Sequence, residues 1–87
     1  MKPSASIAVA EAIANVLRDT GRDVRRIEPH MLLAGDVGLD SLDLAQTIVL
    51  LERSLGIDPF RSAGAAGKPL RTVADLVAVY EAALATP

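Results

Sequence analysis

The sequence predicts an all-α domain: three principal helices, a long first loop and one minor helix. Three observations lead there. Apolar residues make up 51% of the 87 residues, yet Phe60 and Tyr80 are the only aromatics, so aliphatic side chains on closely packed helices have to close the core. Apolar positions recur at helical spacing in three separate stretches. No segment alternates with a period of two, so no strand is expected.

The first helix is expected over about residues 4–20. Val9, Ile13, Val16 and Leu17 form one apolar stripe, and Ala8, Ala10, Ala12 and Ala14 fill the turns with the best helix former. Gly21 lies where a C′ residue ends a helix. Residues 21–39 hold no sustained period; Pro29, Gly35 and Gly38 punctuate them. So long a loop is uncommon in a small domain, unless Val24, Ile27, Leu32, Leu33 and Val37 anchor it across the helix ends.

The second helix, over 41–55, opens on Asp40 as N-cap, with Asp43 at N3 and Leu39 placed to staple against Leu44. Asp43 is shorter than the Glu or Gln of a full capping box. Leu44, Ile48, Leu51 and Leu55 then mark the core-facing stripe, with Thr47 beside it, and Gly56 closes the helix. Asp58 and Pro59 open a short helix over 59–63, followed by a Gly/Ala-rich connection over 62–67. The last helix covers 73–85 behind Thr72 as N-cap, with Val73, Leu76, Val77, Tyr80 and Leu84 as its stripe.

Composition excludes several functions. Without Cys there is no disulfide scaffold, no thiolate metal site and no thiol nucleophile. His30 is the single histidine, too little for a metal site, so none is expected, and poor support for a Ser-based triad. A net charge of −2 provides no basic stripe for phosphates, so no nucleic acid is expected as partner. No apolar run approaches the roughly 20 residues that span a bilayer. The stretch after Met1-Lys2-Pro3 superficially suggests a signal peptide, but one Lys precedes it and Glu11 interrupts it. The expectation is a cytoplasmic, non-catalytic monomer forming one domain over 1–87.

The charge is unevenly placed. Residues 36–60 carry Asp36, Asp40, Asp43, Glu52 and Asp58 against Arg53 alone, a net −4 hidden inside the total of −2. Asp40 and Asp43 suit a helix N-terminus, but Asp36 and Glu52 need another reason. Leu42, Ala45 and Val49 add a second apolar stripe, offset from the core-facing one. Apolar and acidic residues around Ser41 thus read as a docking face made of Asp40, Leu42, Asp43, Ala45, Val49 and Glu52, suited to a partner with a basic patch.

Gly38-Leu39-Asp40-Ser41-Leu42-Asp43, then Ile48-Val49-Leu50-Leu51-Glu52, Leu55-Gly56-Ile57 and Thr72-Val73-Ala74-Asp75-Leu76, closely resembles the acyl carrier proteins. The resemblance runs along essentially the whole chain. It implies a four-helix bundle with a long first loop and a short third helix, which accommodates residues 21–39. It also implies that Ser41 receives 4′-phosphopantetheine from coenzyme A, through a phosphopantetheinyl transferase. The chain then presents acyl groups as thioesters to acyl-loading, synthase or transferase enzymes. A chain without Cys takes its reactive sulfur from that arm.

Departures shape the expectation. Gln46 stands where fatty-acid carriers often have an acid, Arg53 follows Glu52, and Arg22, Arg25 and Arg26 crowd the first loop. These favour a discrete carrier dedicated to a specialised lipid or polyketide-type pathway over housekeeping fatty acid synthesis. The alternatives are an aminoacyl or peptidyl carrier, and a helical interaction module with Ser41 unmodified.

Overall fold

The computed structural model of the chain describes residues 4–24, 26–60 and 70–85. Its helices are α1 (Ala5–Asp19), α2 (Ser41–Leu55) and α3 (Val73–Ala85), with no strand among the described residues. The all-α class is therefore as expected. Of the short helix anticipated over 59–63, Pro59 and Phe60 form a turn, and the rest, like the 62–67 connection, lies outside the described residues.

α1 starts where the Ser4 hydroxyl accepts from the Ile7 N–H at 3.3 Å. It ends in a Schellman turn: Gly21, at φ 76°, donates to Arg18 O at 3.1 Å, and Arg22 N–H donates to Leu17 O at 2.8 Å. Val9, Ile13, Val16 and Leu17 are all buried. Each such side chain contributes about 1.5–3 kcal/mol through burial. α1 packs against both α2 and α3 and so forms the centre of the core.

The long first loop is held by backbone bonds to the start of α3. Leu33 N–H donates to Arg71 O at 2.8 Å, Val73 N–H to Met31 O at 2.9 Å and Ala74 N–H to Pro29 O at 2.9 Å, framing an antiparallel bridge between Leu32 and Thr72. Leu33 and Val37 are buried anchors and Ile27 is half-buried, whereas Val24 and Leu32 are exposed, contrary to expectation. Successive residues of an extended bridge face opposite sides, so with Leu33 turned inward Leu32 turns outward.

In α3, Val73, Leu76 and Tyr80 are buried, Val77 and Leu84 are half-buried, and Val79 joins the buried set unpredicted. Tyr80 meets Phe60 edge to face, with centroids 6.1 Å apart and planes at 76°. Its hydroxyl has no hydrogen-bond partner among the described residues, and burial, reinforced by Asp58 and Glu52, pushes its pKa up to about 12. At the start of α3, the Thr72 hydroxyl accepts from Asp75 N–H at 3.1 Å, while Asp75 Oδ2 accepts from the N–H groups of Thr72 and Arg71, each at 3.0 Å.

α2 departs in part from expectation. Its fully buried residues are Asp43, Thr47 and Leu51, while Leu44, Ile48 and Leu55 are half-buried. Hydrogen bonding turns this polar stripe inward: Thr47 Oγ1 donates to Asp43 O at 2.9 Å, and the Asp43 carboxylate is engaged as described below.

Candidate functional site

Ser41 is the first residue of α2 and is exposed. The chain reaches it through Gly38, at φ 87°, in the left-handed region that glycine adopts at least cost. Leu39 is buried just before it. Asp40 and Asp43 then close a complete capping box: Asp43 N–H donates to Asp40 Oδ1 at 2.8 Å, and Asp40 N–H donates to Asp43 Oδ2 at 3.0 Å. The shorter Asp side chain thus does what Glu or Gln does elsewhere.

Asp43 does more than cap. Its Oδ2 also meets Arg22 Nη2 at 2.5 Å in an ion pair whose side chains are 34% (Arg22) and 10% (Asp43) exposed. The Asp40 N–H, joined by Arg22, holds the Asp43 carboxyl below the usual carboxylate range. Arg22 Nη1 donates to Gly38 O, and its Nε donates to Thr20 Oγ1 at 3.0 Å. One guanidinium therefore joins the end of α1 to both sides of Ser41.

This corrects the docking face. Asp43 was expected on it, but it is buried with its charge paired to Arg22, because the capping box draws its carboxylate back over the helix N-terminus. The other expected residues do share the surface: Asp40, Ala45 and Glu52 are exposed, Leu42 is 76% exposed and Val49 47%. Leu42, Ala45, Val49 and Glu52 run down one outer side of α2 at helical spacing. Arg22 was the residue sequence reasoning missed. Gly21 at C′ marked it as the next residue of a fixed turn, but nothing local pointed to a partner 21 positions away.

An open cavity of about 370 Å³ lies beside Ser41, lined by Leu33, Leu39, Asp40, Leu44, Leu70 and Arg71 among others, with the exposed Leu32 at its side. Its wall is mostly apolar, with one acid, Asp40, and one cation, Arg71. No group of three His, Cys, Asp or Glu among the described residues is placed to hold a metal ion. No described helix is long and apolar enough to cross a membrane.

Comparison with known proteins bears directly on this arrangement. The chain matches the family described as "Phosphopantetheine attachment site" over residues 8–63, and it belongs to that family. It is 40% identical over 58 residues to a protein named acyl carrier protein MbtL from Mycobacterium sp. (strain MCS), a match covering 66% of this chain and 65% of that protein. The chain thus spans about two thirds of that relative's length, and no solved structure matches it. Family membership brings with it covalently attached 4′-phosphopantetheine.

Proposed function

We propose that the chain is an acyl carrier whose arm is attached through Ser41. The observation that supports this most directly is the exposed Ser41 hydroxyl at the first residue of α2, backed by the capping box and flanked by the apolar cavity. Attachment forms a bond from Ser41 Oγ to the pantetheine-side phosphorus of coenzyme A. It breaks the pyrophosphate P–O bond and releases adenosine 3′,5′-bisphosphate, with the hydroxyl proton passing to a base of the transferase. When bound, the arm supplies the thiol that carries acyl groups as thioesters. This chain's residues supply a fixed base for it and a surface for its enzymes.

The partners proposed are a phosphopantetheinyl transferase and acyl-loading, synthase or transferase enzymes with basic docking patches. They meet Asp40, Leu42, Ala45, Val49 and Glu52 on the outer side of α2. The likeness to a protein named as an acyl carrier favours acyl over aminoacyl cargo. The departures at Gln46 and Arg53 favour a dedicated lipid or polyketide-type pathway.

Intact-mass measurement after incubation with coenzyme A and a broad-specificity transferase tests the attachment. Wild type is expected to gain one phosphopantetheine and Ser41→Ala none. A wild type that stays unmodified, or a Ser41→Ala variant that still gains the arm, would refute the assignment.

A further inference from the structure

We propose that Arg22 is a positioning residue for arm attachment at Ser41, acting by cancelling the charge of Asp43. This rests on the reading of Ser41 as the attachment point. Three features of the geometry support it.

The Arg22 backbone is fixed by the Schellman turn, where its N–H donates to Leu17 O at 2.8 Å. Its guanidinium then reaches Thr20 Oγ1, Gly38 O and Asp43 Oδ2, three acceptors that only a planar fork satisfies together. The Asp43 oxygen it meets is the same one that accepts from Asp40 N–H at 3.0 Å, so Arg22 is joined to the cap immediately preceding Ser41.

Attachment leaves a phosphodiester anion on Ser41. The positive end of α2 favours that anion, and each neighbouring carboxylate opposes it. Asp43 is needed as an acceptor for the cap, so its charge cannot simply be dispensed with. Arg22 allows the carboxylate to cap α2 while presenting little net charge to the incoming phosphate.

The consequence is distinct from docking. Arg22→Gln makes the face around Ser41 more acidic, which favours encounter with a basic transferase and leaves KM unchanged or lower. It also leaves Asp43 uncompensated in the cap that immediately precedes Ser41, which lowers kcat.

The test follows arm attachment by intact mass under steady-state conditions, at low and at high salt, with far-UV circular dichroism as the check on folding. Arg22→Gln is expected to lower kcat roughly fivefold at low salt, the effect of one nearby charge in a water-like medium. The deficit relative to wild type shrinks as salt rises. Arg22→Lys keeps the charge and is expected within about twofold of wild type; if Arg22→Gln does not fold, the neutral Arg22→Met, which keeps the apolar stem, is expected to show the same salt-sensitive loss. A wild-type rate in Arg22→Gln overturns the proposal. So does a loss that is indifferent to salt and persists at full size in Arg22→Lys, since that describes a purely structural residue. Failure of the underlying reading is separate, because then wild type itself would take up no arm.

Discussion

α1 and α2 are equal in length, 15 residues each, but use their side chains in opposite ways. In α1 the apolar stripe is the buried face: Val9, Ile13, Val16 and Leu17 are all at most 1% exposed, while Ile7 in the first turn is 61% exposed. In α2 hydrophobicity and burial part. Asp43 and Thr47 are buried, while Leu42 and Val49 face solvent. Burying polar groups is tolerable only when they are hydrogen-bonded, and here they are. The difference shows that α1 organises the core, whereas the outer side of α2 leaves apolar surface exposed, where the proposed partners would dock.

If that contrast is right, core truncation should hurt both helices alike. Leu17→Ala in α1 and Leu51→Ala in α2 are each expected to cost about 2–5 kcal/mol in denaturant unfolding, because each removes a fully packed side chain. A cost well below 1 kcal/mol for Leu51→Ala would show that α2 is held by its polar stripe alone.

The polar stripe has its own signature in acid. A carboxyl whose folded pKa lies below its unfolded value stabilises the fold fully above that unfolded value and loses the contribution as pH falls through the folded one. For Asp43 the ordinary value is 3.8, so its contribution is complete at neutral pH and fades below about pH 4. Asp75 behaves likewise, its carboxyl held down mainly by the Thr72 and Arg71 N–H groups. Asp43→Asn should therefore be less stable than wild type at neutral pH, with the gap closing on acidification as Asp75 continues to titrate. An unfolding curve against pH that runs parallel to wild type would contradict the role given to Asp43.

The smallest effect on stability is expected on the outer side. Val49→Asp should change unfolding free energy by no more than about 1 kcal/mol, since the residue is 47% exposed. It should nonetheless raise KM for arm transfer, in contrast to the kcat effect expected at Arg22. Loss of helicity in Val49→Asp would place the residue in the core and remove the docking stripe.

Much of this was legible without coordinates wherever the signal was local. The α1 stripe, the glycine closing each of the first two helices, and the caps at Asp40 and Thr72 each depend on residues within about one or two helical turns. In α2 the expected Leu44, Leu51 and Leu55 do meet the core, but periodicity does not foresee that Asp43 is buried beside Thr47. It has no means of knowing that hydrogen bonds wait for the polar pair. Leu32 was misread for a similar reason: in a loop, hydrophobicity alone does not say which of two adjacent leucines faces inward.

By itself the sequence determined the three main helices, the caps at Asp40 and Thr72, the position of Ser41 and the absence of any thiol in the chain, because these follow from short-range backbone preferences and composition. Only the tertiary structure decided which acids around Ser41 remain exposed. Arg22 and Asp43 are 21 residues apart, and Arg22 and Gly38 are 16 apart. Such a bond forms only after α1 and α2 have packed, so no local pattern encodes it. That packing turns Asp43 from a surface charge into part of the support beneath Ser41.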